Sequence, residues 1–301
     1  MSSVRRRGSK IQRLSDRIVA GVLRTLAIFP LRVLRMFGRF YGWTTSLSSS
    51  RVARTTRTNL SLCYPNMDPK QLRELARRSL CETGCTIFEM AAIWYWNTEA
   101  LKSLIVRFDG RHLLEQELER GGVICVCPHW GNWEVASFAF GLNYKATALY
   151  DARRLADHVD HVTEMRSRFG LSMASILPSG LKVLLRALRS SEVVLVLPDQ
   201  VPTRGKNVIV KFMEVEAVTT TIVQSLSQHT GASIVMLTFE RVPNGFHIRV
   251  EPMSPAVLDG DPSISAQTIN DEIARAIQRD PAQYQWEYKR FRRIPGLDYY
   301  S

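Results

Sequence analysis

The chain has 301 residues, of which 45% are hydrophobic and 9% are aromatic, so it is long and apolar enough to bury a full core. Its 40 Lys and Arg residues outnumber its 28 Asp and Glu residues and give a formal net charge of +12. This charge favours an anionic partner such as nucleic acid, anionic lipid, a phosphorylated substrate or an acidic carrier protein. The five cysteines form no pair of C-x-x-C motifs, which argues against a disulfide or zinc framework and predicts reduced, mostly buried thiols in a cytosolic compartment.

Residues 1–45 form a basic and apolar segment that differs in composition from residues 46–301, which are predicted to form one domain. The stretch 18–31 is apolar but contains Arg24 and Pro30, so it lacks the roughly 20 uninterrupted apolar residues of a spanning helix. At helical spacing, basic residues fall within one arc and apolar residues lie opposite. The basic arc comprises Lys10, Arg13, Arg17, Arg24, Arg35 and Arg39, and the apolar side comprises Ile18, Val22, Leu26, Phe29, Val33, Met36 and Phe40.

Two arrangements of this segment remain open, besides a less favoured spanning helix. In the first, the segment lies in the plane of a membrane, with its arginines at lipid phosphates and with Tyr41 and Trp43 at the headgroup level. In the second, it packs on the protein's own core with its basic side in water. The first arrangement is favoured. Pro30 must kink or break the helix, so both arrangements assume one helical phase across it.

Beyond residue 43 the predicted elements alternate between helix and strand. A Ser/Thr/Arg-rich stretch at 44–58 is interpreted as a linker or the start of a helix, and Asp68 followed by Pro69 starts a helix that runs to residue 96. This alternation predicts an α/β fold with a mixed, largely parallel sheet flanked by helices and preceded by an N-terminal membrane-associating helix. The predicted strands are 123–127, 147–150, 193–197, 233–240 and 246–250, and the predicted helices are 132–141, 157–169, 179–189, 220–230 and 265–279.

The run Cys127-Pro-His-Trp-Gly-Asn-Trp-Glu134 contains the most informative chemistry in the sequence. It places His129 just beyond a predicted buried strand, and ligand chemistry gathers at the carboxyl ends of strands in open α/β sheets. A histidine near neutrality takes a proton from a hydroxyl, and a nearby carboxylate fixes its tautomer. His129 with Glu134 is therefore a candidate base and orienting acid, although the same spacing also suits a carboxylate that only caps the following helix.

Four ordered blocks of the sequence resemble the bacterial lipid A late (secondary) acyltransferases, within the superfamily of glycerolipid acyltransferases that share a His-x4-Asp/Glu motif. His129-Trp-Gly-Asn-Trp-Glu134 is similar to the HWGNWE form of that motif, and the four blocks extend over residues 59 to 291. One departure follows Asp199, where the family's Phe-Phe-Gly-like turn is replaced by Lys211-Phe-Met-Glu214. The other three blocks are Asn59-Leu-Ser-Leu-Cys-Tyr-Pro65, Leu197-Pro-Asp199-Gln200 and Pro281-Ala-Gln-Tyr-Gln-Trp-Glu-Tyr-Lys-Arg-Phe291.

The resemblance implies an enzyme that moves a fatty acyl chain from acyl carrier protein, or from acyl-CoA, onto a hydroxyl of a lipid A precursor. It also implies that His129 is the general base and that Glu134 completes the catalytic dyad. The sequence contains no G-x-S-x-G motif and no cysteine paired with His129, which predicts transfer without a covalent acyl-enzyme. The same chemistry on another membrane lipid, such as an aminolipid or a phosphoinositide mannoside, is the alternative.

Four residues are candidates for substrate binding: Asn132, Arg166, Arg168 and Asp199. Either Arg166 or Arg168 matches a family region with a required arginine, whose planar guanidinium suits a phosphate; two ordinary surface arginines are the alternative. Asp199 follows a predicted strand. The family block implies that it supports the site, for example by orienting an arginine. Asn132, next to Gly131, permits a tight turn in the histidine block.

No metal site and no cofactor is predicted, apart from acyl-ACP or acyl-CoA as co-substrate. His158 and His161, with Asp157 and Asp160, have a spacing that suits a metal ion, but a solvated helix face is the favoured interpretation. The aromatic and basic residues at 286–292 suit a phosphate-bearing headgroup or a membrane interface.

The predicted partners are acyl carrier protein, an anionic phosphorylated glycolipid substrate and a membrane surface, with no nucleic acid. The predicted location is the cytoplasmic face of the inner (cytoplasmic) membrane. A non-catalytic membrane scaffold or a nucleic-acid binder is the rival from another class. That rival predicts that replacement of His129 leaves function intact, while loss of the N-terminal arginines abolishes it.

Overall fold

The computed structural model describes residues 10–151 and 159–300, with side chains described for residues 17–151 and 160–300. Helices and strands alternate after a helical N-terminal region. The helices are α1 (Lys10–Leu26), α2 (Leu31–Ser46), α3 (Arg51–Cys63), α4 (Pro69–Tyr95), α5 (Thr98–Lys102), α6 (Arg111–Arg120), α7 (Ala136–Gly141), α8 (Val159–Ser167), α9 (Pro178–Arg189), α10 (Ile222–Thr230) and α11 (Pro262–Ile277). The strands are β1 (Ile105–Asp109), β2 (Val123–Val126), β3 (Ala146–Tyr150), β4 (Ser172–Ser175), β5 (Val193–Val196), β6 (Asn207–Phe212), β7 (Val215–Thr220), β8 (Ser233–Val242) and β9 (Gly245–Pro252).

Seven strands form one mixed sheet in the order β1-β9-β8-β2-β5-β3-β4, while β6 and β7 form a separate antiparallel hairpin. Every neighbouring pair in the large sheet is parallel except β8 and β9. The predicted α/β fold with a mixed, largely parallel sheet is therefore confirmed. At the centre, β2 and β5 lie side by side and are buried at every residue, as expected where helices cover both faces of a parallel sheet.

The core lies on both faces of the sheet, because successive side chains of a strand point to opposite faces. Val123 and Cys125 of β2 pack with α4, α7 and α8 on one face. Ile124 and Val126 pack with α9, α10 and α11 on the other face. The sheet thereby separates two apolar layers, and the site described below lies at the edge where the central strands end.

The predicted start of α4 is confirmed, and this helix supports α2. The Asp68 side chain accepts a hydrogen bond from the backbone N–H of Lys70 at 2.7 Å, and Pro69 occupies the first turn. α2 packs closely along α4, since a Cβ added at Gly84 would collide with the carbonyl oxygen of Gly38. The predicted boundary after residue 45 falls one residue before the end of α2, at Ser46.

Arg35 corrects part of the predicted basic arc. This side chain is 3% exposed and its guanidinium binds the carboxylate of Glu89 on α4, so it does not face lipid phosphates or water. Pro30 adopts an extended backbone just before α2 and separates α2 from α1. One helical phase therefore does not hold across the two helices, which explains why the pattern assigned Arg35 to the outer side.

Most of the predicted apolar side of the N-terminal segment is exposed on α1 and α2. Ile18, Val22, Met36 and Phe40 are between 54% and 64% exposed, and the Phe40 ring stacks on that of Trp43. Across residues 10–151 and 159–300, none of the helices combines the length and the hydropathy that a membrane crossing requires.

The elements that the pattern did not predict include both edge strands of the sheet, the β6–β7 hairpin and the helices α3, α5 and α6. β1 and β4 are its two outermost strands, and the stretch 44–58 is mostly helical, with α3 capped by the Ser50 hydroxyl. The segment that replaces the family's Phe-Phe-Gly-like turn forms the β6–β7 turn. Met213 has a positive φ of 53° there, a conformation that glycine adopts with less strain.

Candidate active site

His129 and Asp199 come together because two parallel strands end side by side. His129 lies three residues after Val126, the last residue of β2, and Asp199 lies three residues after Val196, the last residue of β5. Val126 is the register partner of Val196. Equal offsets from paired strand ends therefore bring the two side chains to the same point at the carboxyl edge of the sheet.

Asp199 binds His129 through two hydrogen bonds. Its Oδ1 lies 2.7 Å from Nδ1 of the imidazole, and its Oδ2 accepts from the backbone N–H of His129 at 2.8 Å. Because an ionised carboxylate only accepts hydrogen bonds, Nδ1 carries a proton, so the lone pair of the neutral ring lies on Nε2. The Trp133 ring packs edge-on against the imidazole with a centroid distance of 4.9 Å. The ring of His129 is thus held in one tautomer and one orientation, in which Nε2 is able to accept a proton.

A cavity of about 680 Å³ lies beside His129. This volume falls within the range of about 300–1,000 Å³ that is typical of small-molecule sites. Most of its wall is apolar, which suits a hydrocarbon chain, whereas Glu134 and Arg166 also line it. The apolar wall includes Ala148, Leu149, Met173, Leu181, Leu185 and Leu226.

Glu134 lines the cavity as the partner of an arginine. Its Oε2 accepts from Nε of Arg166 at 3.1 Å, and its Oε1 accepts from Nη2 of the same guanidinium. The indole N–H of Trp94 donates to Oε2 at 3.4 Å. The hydrogen-bonded partner of the imidazole is therefore Asp199, where the sequence had favoured Glu134, and a catalytic role of Glu134 stays a prediction.

Both carboxylates of the site remain ionised although they are buried. Burial by itself would raise the pKa of Asp199, but the charge and hydrogen bonds of His129 outweigh burial and lower that pKa. Burial likewise opposes ionisation of Glu134, and the Arg166 guanidinium outweighs it, so the pKa of Glu134 is below its ordinary value. The site of the imidazole therefore contains two ionised carboxylates and the Arg166 guanidinium.

A tight turn connects the histidine to the glutamate. Gly131 has a positive φ of 67°, and a Cβ there would collide with the carbonyl oxygen of Phe239, so this position requires glycine. The N–H of Gly131 donates to the carbonyl of Gln283 at 3.0 Å, and the N–H of Asn132 donates to that of Phe239 at 2.9 Å. The turn is held between β8 and the C-terminal block.

Asn132 is fully buried and connects this turn to α4. Its Nδ2 donates to Oε2 of Glu89 at 2.8 Å, and its Oδ1 accepts from the backbone N–H of Glu134 at 3.1 Å. Asn132 is not among the described residues that line the cavity. The structure thus places it behind the site, in contrast to the predicted contact with substrate.

The structure distinguishes the two candidate arginines. Arg166 lines the cavity and holds Glu134. Arg168 is exposed, donates to the backbone carbonyl of Trp94 and lies over the ring of Phe169. Of these two arginines, Arg166 is therefore the one that lines the cavity.

The C-terminal block packs into the protein and supports the histidine turn. Trp286 is 1% exposed and Arg290 is 2% exposed, so the suggestion of a headgroup or membrane interface is wrong for these two residues. Arg290 donates to the carbonyl of Val218 at 2.6 Å. The N–H of Gln285 donates to the carbonyl of His129 at 3.0 Å, which ties the block to the site.

Within the described residues, no group of three or more His, Cys, Asp or Glu side chains is arranged to hold a metal ion. Of the histidine and aspartate cluster considered from the sequence, Asp157 and His158 lie outside the described residues. His161 lies with Nε2 3.1 Å from the hydroxyl of Tyr95, and its ring packs edge-on against Trp94.

Glu89 contacts Asn132, and Trp94 contacts Glu134. Neither was predicted, and neither was Arg241, which binds Glu89. Glu89 is 0% exposed and accepts from Arg241 Nη2 at 2.8 Å. A signal for it exists, because Glu89 is the only charged residue in the apolar run 87–95. A single acid in such a run is expected to be buried with a cationic partner. The partner itself could not be identified, since Arg241 lies far away in the sequence.

An α/β sheet with a histidine–aspartate pair at its central strand ends and an apolar cavity beside that pair suits an enzyme that transfers acyl groups to hydroxyls. The sequence comparison agrees with this class. Residues 5–293 match the family described as bacterial lipid A biosynthesis acyltransferase, and the chain belongs to this family. The resemblance inferred from the four sequence blocks is therefore confirmed.

Three relatives named as lipid A biosynthesis enzymes share this similarity over most of their length. The chain is 25% identical over 281 residues to the lipid A biosynthesis lauroyltransferase of Escherichia coli (strain K12), with 91% of this chain and 90% of that protein covered. It is 24% identical over 283 residues to a lipid A biosynthesis acyltransferase of Haemophilus influenzae, with 91% and 89% covered. It is also 25% identical over 278 residues to the lipid A biosynthesis palmitoleoyltransferase of Escherichia coli (strain K12), with 91% and 90% covered.

Proposed function

We propose that the protein transfers a fatty acyl chain from acyl carrier protein, or from acyl-CoA, onto a hydroxyl of a lipid A precursor, with His129 as the general base. The observation that supports this most directly is the 2.7 Å contact between Nδ1 of His129 and Oδ1 of Asp199, next to an apolar cavity. Membership of the lipid A acyltransferase family supports the choice of acceptor.

In the proposed reaction, the acceptor hydroxyl gives its proton to Nε2 of His129 while its oxygen attacks the carbonyl carbon of the donor thioester. The C–S bond then breaks, and the imidazolium returns the proton to the departing thiolate. Asp199 accepts the Nδ1–H hydrogen bond and stabilises the positive charge that the ring acquires. The acyl chain moves directly from sulfur to oxygen, so no protein group becomes acylated.

Arg166 has the role of an anion-binding group in this proposal. A guanidinium has five N–H donors, and the contacts with Glu134 involve Nε and Nη2, so Arg166 retains donors for another oxygen. A substrate phosphate or the oxyanion that forms during attack is a suitable acceptor. Glu134 contributes by holding this guanidinium in the cavity.

The N-terminal helices attach the enzyme to the cytoplasmic face of the inner membrane in this proposal. Exposed apolar residues such as Met36 and Phe40 occur on the same helices as the exposed residues Arg17, Arg24 and Arg39. That combination suits a surface made of acyl chains and anionic headgroups. The net charge of +12 also favours an acidic carrier protein and a phosphorylated lipid as partners.

Mass spectrometry of purified lipid A precursor incubated with the protein and a mixed set of acyl-ACP and acyl-CoA donors tests the proposal. The expected product is heavier by one acyl chain and identifies both the donor and the chain length. His129→Ala is expected to lower the rate by about 10²- to 10⁴-fold, the usual contribution of general-base catalysis. His112→Ala replaces an exposed histidine of α6 and is the matched control.

An unchanged precursor with every donor would overturn the lipid A assignment. The same donors offered to an aminolipid or to a phosphoinositide mannoside would then reveal acyl transfer onto another acceptor. Equal activity of His129→Ala and the wild type would instead exclude His129 as the base.

A further inference from the structure

We propose that Glu89 is a positioning residue, which acts through Asn132 to hold Glu134 and thereby Arg166 in the active-site cavity. This inference rests on the proposed function, because its main consequence is a change in the rate of acyl transfer. Glu89 itself is 0% exposed and is not among the described residues that line the cavity. It therefore acts on the reaction only through the residues that it binds.

Glu89 is a carboxylate surrounded by donors. Its Oε1 accepts from Nε of Arg35 at 2.5 Å and from Nε of Arg241 at 2.9 Å. Its Oε2 accepts from Nη2 of Arg241 at 2.8 Å and from Nδ2 of Asn132 at 2.8 Å. Arg241 also binds Glu82 through Nη1 at 2.6 Å, so two arginines and two glutamates balance in charge.

Such a buried cluster is costly to form unless every member is paired. The desolvation of a buried ion costs several kcal/mol, and removal of one partner leaves an uncompensated charge. Other N–H groups of Arg35 donate to backbone carbonyls at the β8–β9 turn. The acceptors are the carbonyls of Val242 at 2.6 Å and Gly245 at 2.9 Å. The cluster therefore links three elements rigidly: α2 through Arg35, α4 through Glu89 and β8 through Arg241.

The charge of Glu89 determines which way the Asn132 amide points. A carboxylate only accepts, so the Asn132 NH2 group must face Glu89, and the amide oxygen must face the opposite side. That oxygen accepts from the backbone N–H of Glu134 at 3.1 Å, at the start of the 3₁₀ turn Trp133–Val135. The orientation set at Glu89 thus fixes the backbone position of Glu134.

The position of Glu134 in turn fixes that of Arg166 through the two-fold ion pair. A small displacement of a group in an active site lowers the chemical rate strongly, because the reacting geometry is lost. Asn132 itself does not contact the cavity, so its replacement acts only through Arg166. The oxyanion that Arg166 faces in the proposed reaction forms only during attack. The inference therefore predicts a loss in kcat with KM nearly constant.

Reciprocal substitutions test the hydrogen bond between residues 89 and 132. Asn132→Asp presents a carboxylate to the carboxylate of Glu89, and we expect kcat to fall by about tenfold or more. The double variant Asn132→Asp with Glu89→Gln restores a donor opposite an acceptor, keeps the net charge of the cluster and keeps an oxygen for the N–H of Glu134. It is expected to recover only part of the lost kcat, because the NH2 group of the new Gln also faces Nη2 of Arg241.

Two further variants separate positioning from a general loss of stability. Asn132→Ala removes the cap without adding charge and is expected to lower kcat by about tenfold with an intact circular-dichroism spectrum. Asn270→Ala removes another fully buried amide, which donates to Lys211 and Thr219 far along the chain, and is expected to keep the kcat of the wild type.

Hydrogen exchange gives a readout that does not depend on catalysis. The N–H of Glu134 is expected to exchange faster in Asn132→Asp and to regain protection in the double variant. Wild-type kcat in both Asn132 variants, or unchanged exchange of the Glu134 N–H in Asn132→Asp, would overturn the inference. An inactive wild type with the expected exchange pattern would instead count against the proposed reaction alone.

Discussion

Asp199 accepts two hydrogen bonds from a single residue, His129: one from the imidazole at 2.7 Å and one from the backbone N–H at 2.8 Å. Both carboxylate oxygens are needed, because each faces a donor. Asp199→Asn offers only one accepting atom, so either the imidazole or the backbone N–H must face an NH2 group. We expect kcat to fall by about a hundredfold or more, since the tautomer of the base is no longer fixed.

Steady-state kinetics with saturating donor would measure this loss. The molecule contains a matched control, because His247 Nε2 lies 2.9 Å from Oδ2 of Asp109 in a second histidine–aspartate pair outside the cavity. Asp109→Asn is expected to retain the wild-type kcat. Comparable losses in both variants would show that the effect of Asp199→Asn is a general one and not specific to the base.

The two arginines at 166 and 168 are expected to differ sharply. Arg166→Ala leaves the buried carboxylate of Glu134 without its cation and removes a donor from the cavity, so kcat/KM is expected to fall by about a hundredfold. Arg168→Ala removes an exposed side chain that binds a backbone carbonyl, and we expect less than about a threefold change. Parallel kinetic assays decide the matter, and a larger loss for Arg168→Ala would contradict the assignment.

The proximity of His129 and Asp199 could be predicted in part from the sequence. Each residue follows a valine-rich strand and a proline at the same distance, as Val126-Cys-Pro-His129 and Val196-Leu-Pro-Asp199. Equal distances from the strand ends predict that the two side chains lie together, provided that the two strands are neighbours. The sequence does not reveal which strands pair. The partner of Glu134, Arg166, lies 32 residues further on, beyond the reach of a local motif.

The fold was predicted best where the hydrophobic signal is strongest. The central strands β2 and β5 are continuous apolar runs, whereas the edge strands β1 and β4 read IVRFD and SMAS and contain polar or small residues. An edge strand is less buried and so lacks a clear apolar pattern. Arg35 was misplaced because one helical phase does not hold across Pro30, and its counter-ion lies 54 residues away on another helix, beyond the reach of a local pattern.

The stability of the protein is expected to fall in acid, and Glu134 is expected to contribute to that fall. Its pKa is held below the ordinary value of 4.5 because Arg166 outweighs the effect of burial. The unfolded chain therefore binds a proton at a higher pH than the folded protein does. The stabilisation from Glu134 is complete above about pH 5 and is lost as the pH falls through its folded pKa.

Urea unfolding of the wild type and of Glu134→Gln from about pH 7 to about pH 3.5 tests this sign. The difference in free energy of unfolding between the two proteins is expected to be largest at neutral pH and to shrink in acid. Glu119→Gln, at an exposed position of α6, provides the control. A difference that grows as the pH falls would contradict the lowered pKa of Glu134.

No cysteine is expected to be acylated during turnover. Cys127 lines the cavity, but burial raises its pKa well above the ordinary value, and the nearby negative charge of Asp199 acts in the same direction. The thiolate needed for attack is therefore scarce at neutral pH. We expect the intact mass of the protein to stay unchanged after incubation with donor alone, and iodoacetamide to label the partly exposed Cys81 first. A hydroxylamine-sensitive acyl adduct would contradict direct transfer.

The exposed apolar side of α2 is expected to bind the membrane. Phe40 and Trp43 are 64% and 44% exposed, and full burial of a large apolar side chain contributes about 1.5–3 kcal/mol. Replacement of both residues by Gln is therefore expected to weaken binding to vesicles that contain anionic phospholipid by at least about tenfold. The inner side of α2, where Arg35 and Gly38 face α4, is untouched, so the fold and the activity on detergent-solubilised substrate are expected to persist.

Co-sedimentation with vesicles measures this binding, and Ile264→Gln serves as the control. Ile264 is 44% exposed on α11, so its replacement removes a similar apolar surface from a different helix. If the two α2 substitutions leave binding unchanged, or if Ile264→Gln weakens it equally, then α2 is not the membrane-binding element. If binding falls only for the α2 variant while the rate in detergent is constant, then Phe40 and Trp43 contribute to membrane attachment and not to catalysis. Attachment and catalysis then depend on different parts of the chain.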